Sequence, residues 1–182
     1  MSKPKPVNWQ LIENTTRQDA GIYELVNNLK TQFHGGDREL SDLNFVLMWK
    51  HNIRPDQDGY IVLADVSKSS DKMRELRPHD IIIGINKIAW DLLDENQKKV
   101  VIDTQLERIV LCLDKEGNPK EDDKYRRIYR LKRPEVVDSE NIVRRHGLTM
   151  SQVQDYVFNR LSGDFDTNSY ADKVINGDAD DE

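Results

Sequence analysis

One cysteine, Cys112, stands among 182 residues, so no internal disulfide can form and zinc frameworks made of cysteine pairs are excluded. His, Asp and Glu are left as the ligand set for any metal. No apolar run approaches the ~18 residues that cross a bilayer. The opening MSKPKPVNWQ also lacks the apolar stretch of a secretory signal. A soluble protein of a reducing cytoplasm, without a membrane partner, is therefore expected. No internal repeat or low-complexity tract is present, and a length of 182 residues with 37% apolar and 33% charged side chains suits one domain with tails.

The net charge of −6 is a property of one end. Residues 163–182 carry seven acids, from Asp164 to Glu182, against the single Lys173, whereas the other 162 residues hold 26 acids and 26 bases. The body is therefore neutral, which argues against an acidic mimic of DNA. A segment ending NGDADDE is too polar to pack and reads as a disordered acidic tail. The sharper alternative is an arm that folds over a basic surface of its own body or reaches a partner.

The remainder divides into an arm at 1–17, with two prolines and a Trp9 that docks at one point, and a domain at 18–162. Ile22, Leu25, Val26, Leu29 and Phe33 recur at helical spacing, with Asp19 as a candidate cap and His34-Gly35-Gly36 as the stop. NFVLMWK (44–50) and YIVLADV (60–66) read as a hairpin across the Pro55–Gly59 turn region. IIIGIN (81–86) has too few polar residues for a wet face and should be central in the sheet. Asp94 and Gln97 have capping-box spacing before a helix predicted to run to about Leu113. YRRIYRLKR (125–133) alternates like a strand, 135–145 reads as helical, and a last helical stripe runs through Val153, Tyr156, Val157 and Leu161. The sum is an α+β domain, one small mixed sheet packed with helices.

The stretch DGYIVLADVSKSSDKMRELRPHDIIIGINKIAWDLLDENQKKVVID, from Asp58, and the later RRHGL (144–148) resemble the putative phage metallopeptidase family, a zincin-like group of bacteriophages and prophages. The shared pattern is a DG turn and strand, a Lys-rich connector, Pro-His-Asp before a strand ending near Asn, and a Trp ahead of a capped helix. An Arg-aromatic-Gly-Leu ending completes it. Together with the first helix and the FVLMWK strand the likeness covers about 130 residues, and it implies a single zincin-like domain.

In that family the helix after the Trp carries Asp-His-Glu-x-x-His. Two imidazoles four residues apart meet one zinc from one helix face, and the Glu serves as general base on the metal-bound water. Here Asp103 matches the leading aspartate, but Thr104 stands for the first histidine, Gln105 for the base and Arg108 for the second histidine. A downstream histidine of the family is also absent from Pro134-Glu135-Val136-Val137-Asp138. The resemblance therefore implies a former metal site at Thr104, Gln105, Arg108, Glu135 and Asp138, with no catalytic residue, metal or cofactor. Asp103 and Glu107 lie on a different helix face, and carboxylates alone favour hard, weakly held cations. His34, His51, His79 and His146 are scattered singly, without ligand spacing. Arg108 can replace the metal's charge by pairing with Glu135 or Asp138, or it can be an exposed surface arginine.

Residues 124–133 hold six cations and no acid: Lys124, Arg126, Arg127, Arg130, Lys132 and Arg133. A strand would align Lys124, Arg126, Arg130 and Lys132 on one face, a row suited to phosphates, with tyrosines near enough to stack on unpaired bases. An edge strand guarded by charge explains the same pattern. The expected function is a catalytically inactive binding module acting on a host or phage protein in the host cytoplasm, in counter-defence or host takeover. The alternative is an accessory protein that binds single-stranded nucleic acid, with the acidic tail as competitor.

Overall fold

A strand as apolar as IIIGIN is stable only where neighbours cover its edges and faces. In the computed structural model Asn8–Leu11 (β1), Phe45–His51 (β2), Ala64–Lys68 (β3) and Ile81–Asn86 (β4) form one sheet in the order β1-β2-β4-β3. β4 is thus an inner strand, as its composition predicts. The structure describes residues 7–13, 16–35, 40–53, 60–133 and 139–162. The Pro55–Gly59 turn and the acidic tail lie outside these.

The hairpin expected of β2 and β3 does not form, because β4 lies between them. β2 runs parallel to β4, with Leu47 opposite Ile83, and β3 runs antiparallel to it, with Val66 opposite the same residue. Short apolar runs state that a strand is buried and say nothing of its partner. The arm is also more than a one-point dock: β1 pairs antiparallel with β2, and Ile12 just beyond it is buried.

Gly84 is required by close approach. On the sheet face away from Ile81, Ile83 and Ile85, Lys50 reaches across β4 to pair with Asp65 and lies 4.6 Å from the Trp9 ring centre. A Cβ at position 84 would sit 2.6 Å from Asp65 Oδ1, 2.7 Å from Lys50 Cδ and 2.9 Å from Trp9.

The opposite face carries Ile81, Ile83 and Ile85, all fully buried, and each such side chain stabilises by roughly 1.5–3 kcal/mol. Arg17–Phe33 (α1) adds Ile22, Val26 and Leu29 to the same core, and its cap is Thr16 rather than Asp19. Thr16 accepts the Asp19 N–H, and Asp19 occupies the third helical position, where a carboxylate favours the positive helix end. Asp71–Leu76 (α2) and Lys87–Leu92 (α3) flank β4 in sequence. Glu95–Glu107 (α4) starts at the expected capping box, with Asp94 and Gln97 each accepting the other's backbone N–H.

α4 ends at Glu107, six residues earlier than predicted, because Ile109–Leu111 (β5) pairs antiparallel with Tyr129–Leu131 (β6). Only those three residues of 125–133 are strand; Tyr125 lies in a turn at φ 58°. Ser139–His146 (α5) and Met150–Ser162 (α6) close the fold, both packed on α4. Among the described residues no helix is long and apolar enough to cross a membrane.

Candidate functional site

Each residue turns an α-helix by about 100°, so Thr104 and Arg108 share one side of α4 while Asp103 and Glu107 share the next. α4 is buried at every position from Val100 to Glu107. Two different sites therefore flank one helix.

On the first side is a cavity of about 500 Å³. Thr104, Gln105 and Arg108 form its α4 wall, facing Val62, Ala64 and Asp65 from β3 and the segment before it. Ile142 of α5 and Met150 and Gln154 of α6 close the sides, and Gln154 Nε2 is tied to the Ile61 carbonyl at 3.2 Å. Three residues expected from the sequence to mark a former metal site thus face one cavity. Their polar atoms are turned to other uses. Thr104 Oγ1 donates to the Val100 carbonyl (2.7 Å). Arg108 donates through NH1 to Gln105 Oε1 (3.1 Å) and through Nε to the Lys132 carbonyl (3.3 Å). The other two residues of the expected site, Glu135 and Asp138, lie outside the described residues, so the proposed pairing with Arg108 has no geometry here.

On the second side Asp103 and Glu107 are fully buried. Asp103 Oδ1 lies 2.5 Å from His34 Nε2 at the end of α1, and Oδ2 lies 2.8 Å from His146 Nε2 at the end of α5. Arg145 NH1 approaches both oxygens, at 3.2 and 3.1 Å, and Glu107 Oε1 at 2.9 Å. The guanidinium also stacks 4.8 Å from the Phe33 ring centre. Burial pushes the Asp103 carboxyl up, but the bonds to His34 and His146 and the Arg145 charge outweigh it and hold the group below the usual carboxylate range. Two histidines that look solitary in the sequence thus meet on one carboxylate and join α1, α4 and α5. In the sequence Asp103 and RRHGL both belong to the stretches that carry the resemblance, but nothing links them, and neither histidine carries a local pattern.

Neither side fits a zinc ion. On the cavity side the Arg108 guanidinium takes the Gln105 oxygen, and a threonine hydroxyl that donates to a carbonyl is a poor zinc donor. On the Asp103 side both imidazole Nε2 atoms face the carboxylate, and Arg145 already supplies the positive charge. Among the described residues no group of three or more His, Cys, Asp or Glu side chains is placed to hold a metal.

The six cations of 124–133 do not line one strand. Lys124 pairs with Glu75, and Arg126 bonds Asp122 through Nε at 2.7 Å. Arg127 meets Asp42 at 2.8 Å. Burial raises the Asp122 carboxyl, yet the Arg126 and Lys124 N–H groups, with the Arg126 guanidinium, bring it down to about 2. Arg130 is exposed on β6, followed by Lys132 and Arg133, and none of the three has an acidic partner among the described residues. His79 is buried beside β4, with its backbone N–H on the Arg77 carbonyl.

A mixed sheet backed by helices, with a cavity along α4, defines an α+β domain. The family model described as putative phage metallopeptidase matches residues 14–160, and the chain belongs to that family. No curated protein and no solved structure matches it.

Proposed function

We propose that the chain is a catalytically inactive member of its family that works as a binding module, receiving a segment of a host or phage protein in the cavity beside α4. The observation that supports this reading is a cavity of about 500 Å³ whose α4 wall bears Thr104, Gln105 and Arg108, none of them a zinc ligand or a general base. A volume of that size with apolar sides and a few convergent polar groups is the usual form of a binding site. Loss of the chemistry with retention of the space favours recognition over catalysis.

Nucleic-acid binding through 124–133 is the lesser reading. It is favoured by Arg130, Lys132 and Arg133, and weakened because Lys124, Arg126 and Arg127 are engaged by acids of the same chain.

A photo-crosslinking side chain placed at Val62, an exposed residue of the cavity wall, tests the main reading in host lysate against the same group at the exposed Ile88 of α3. One discrete protein adduct from position 62 alone is expected. Identical adducts from both positions, or none from 62, would remove the cavity as the binding site.

A further inference from the structure

We infer that the cavity takes the carboxy-terminal end of a polypeptide whose last residue is apolar, with Arg108 holding the terminal carboxylate. The inference rests on the binding-module reading above and names the chemistry of its ligand.

Charge is the first argument. Arg108 is half-buried on the cavity wall, and its two hydrogen bonds go to neutral acceptors, the Gln105 side chain and the Lys132 carbonyl. NH2 makes no hydrogen bond and no carboxylate pairs with Arg108 among the described residues. Its position as the C-cap of α4 sets it against the negative end of the helix dipole, which holds the side chain in place with only about half a unit charge. A guanidinium in that state is suited to a carboxylate, which its NH2 can meet with a charge-assisted bond. The other charged group on the wall, Asp65, is engaged by Lys50 and does not compete for Arg108.

Shape is the second argument. Beside Arg108 the walls are Val62, Leu63, Ala64, Ile142 and Met150, so the ligand must offer an apolar group close to its anion. At a chain terminus the α-carboxylate and the last side chain leave the same Cα, and one residue meets both demands. An internal Asp or Glu would bring two peptide units against the apolar walls with their N–H and C=O groups unpaired. The Thr104 hydroxyl and Gln154 Nε2 already donate to carbonyls, which leaves Thr104 Oγ1 and Gln154 Oε1 as acceptors for one upstream peptide N–H.

The test uses the full chain and a pool of fluorescent pentapeptides, random at four positions and ending in Leu, Val or Phe, made as free acids and as C-terminal amides. A charge-assisted bond to a partly buried partner corresponds to roughly tenfold or more in affinity. The free acids are therefore expected to bind at least about tenfold more tightly than the amides by anisotropy. Arg108→Met should remove the difference and Arg108→Lys restore part of it, with circular dichroism melts confirming that both variants are folded. Equal binding of acids and amides, abolished by Val62→Trp, would overturn the carboxylate inference while leaving the binding-module reading standing. Absence of binding by either pool would overturn the inference as well, and the crosslink from position 62 would then judge the broader reading alone.

Discussion

Asp103→Asn keeps the shape of a fully buried side chain and removes its charge, leaving His34, His146 and Arg145 without the anion on which they converge. Taking one partner from a buried ionic network costs ~3–5 kcal/mol. Arg145 keeps Glu107 at 2.9 Å, so the lower end applies, about 3 kcal/mol. For a chain of this size that corresponds to a fall of roughly 6–12 °C in Tm. Urea titration and thermal melting followed by circular dichroism at pH 7 measure both quantities. The pH dependence has a definite sign. A carboxyl held below its unfolded value of about 3.9 contributes stability that is complete above that pH and is lost as pH falls through the folded value. The gap between wild type and Asp103→Asn should therefore be widest at neutral pH and narrow below about pH 4. A gap under about 1 kcal/mol at pH 7, or one that is equal at pH 7 and pH 3, would refute the account of the cluster as an ionic tie between α1, α4 and α5.

Three further outcomes are expected. The purified chain should hold no stoichiometric zinc, because neither side of α4 presents a fitting donor set; one tightly held zinc per chain in elemental analysis would contradict this. Gly84→Ala should cost about 1–3 kcal/mol, since its methyl would meet Asp65, Lys50 and Trp9 at 2.6–2.9 Å, and an unchanged urea midpoint would show that these three side chains give way freely. Single-stranded DNA should bind weakly at moderate salt. A log–log salt slope steeper than about −2, lost on reversing Arg130, Lys132 and Arg133 to Glu, would promote the nucleic-acid reading, because each phosphate contact contributes roughly −0.7.

Signals that act within a turn or two of chain were legible without the fold. Asp94 and Gln97 determine the start of α4, the run IIIGIN determines an inner strand, and four histidines of which no two are four residues apart exclude a two-imidazole helix site, since each depends on residue type and spacing alone. α4 stops at Glu107 because the strand pairing of Ile109 with Leu131 outweighs a helical pattern that continues past that residue. The insertion of β4 between β2 and β3 was likewise out of reach, as an apolar strand carries no mark of its neighbour. His34 and His146 lie 69 and 43 residues from Asp103 in the chain, and only packing of α1 and α5 on α4 brings their Nε2 atoms to the two oxygens of one carboxylate. The cavity belongs to the same class. Its walls come from β3, α4, α5 and α6, and a space enclosed by four elements exists only once tertiary packing has set the distances between them.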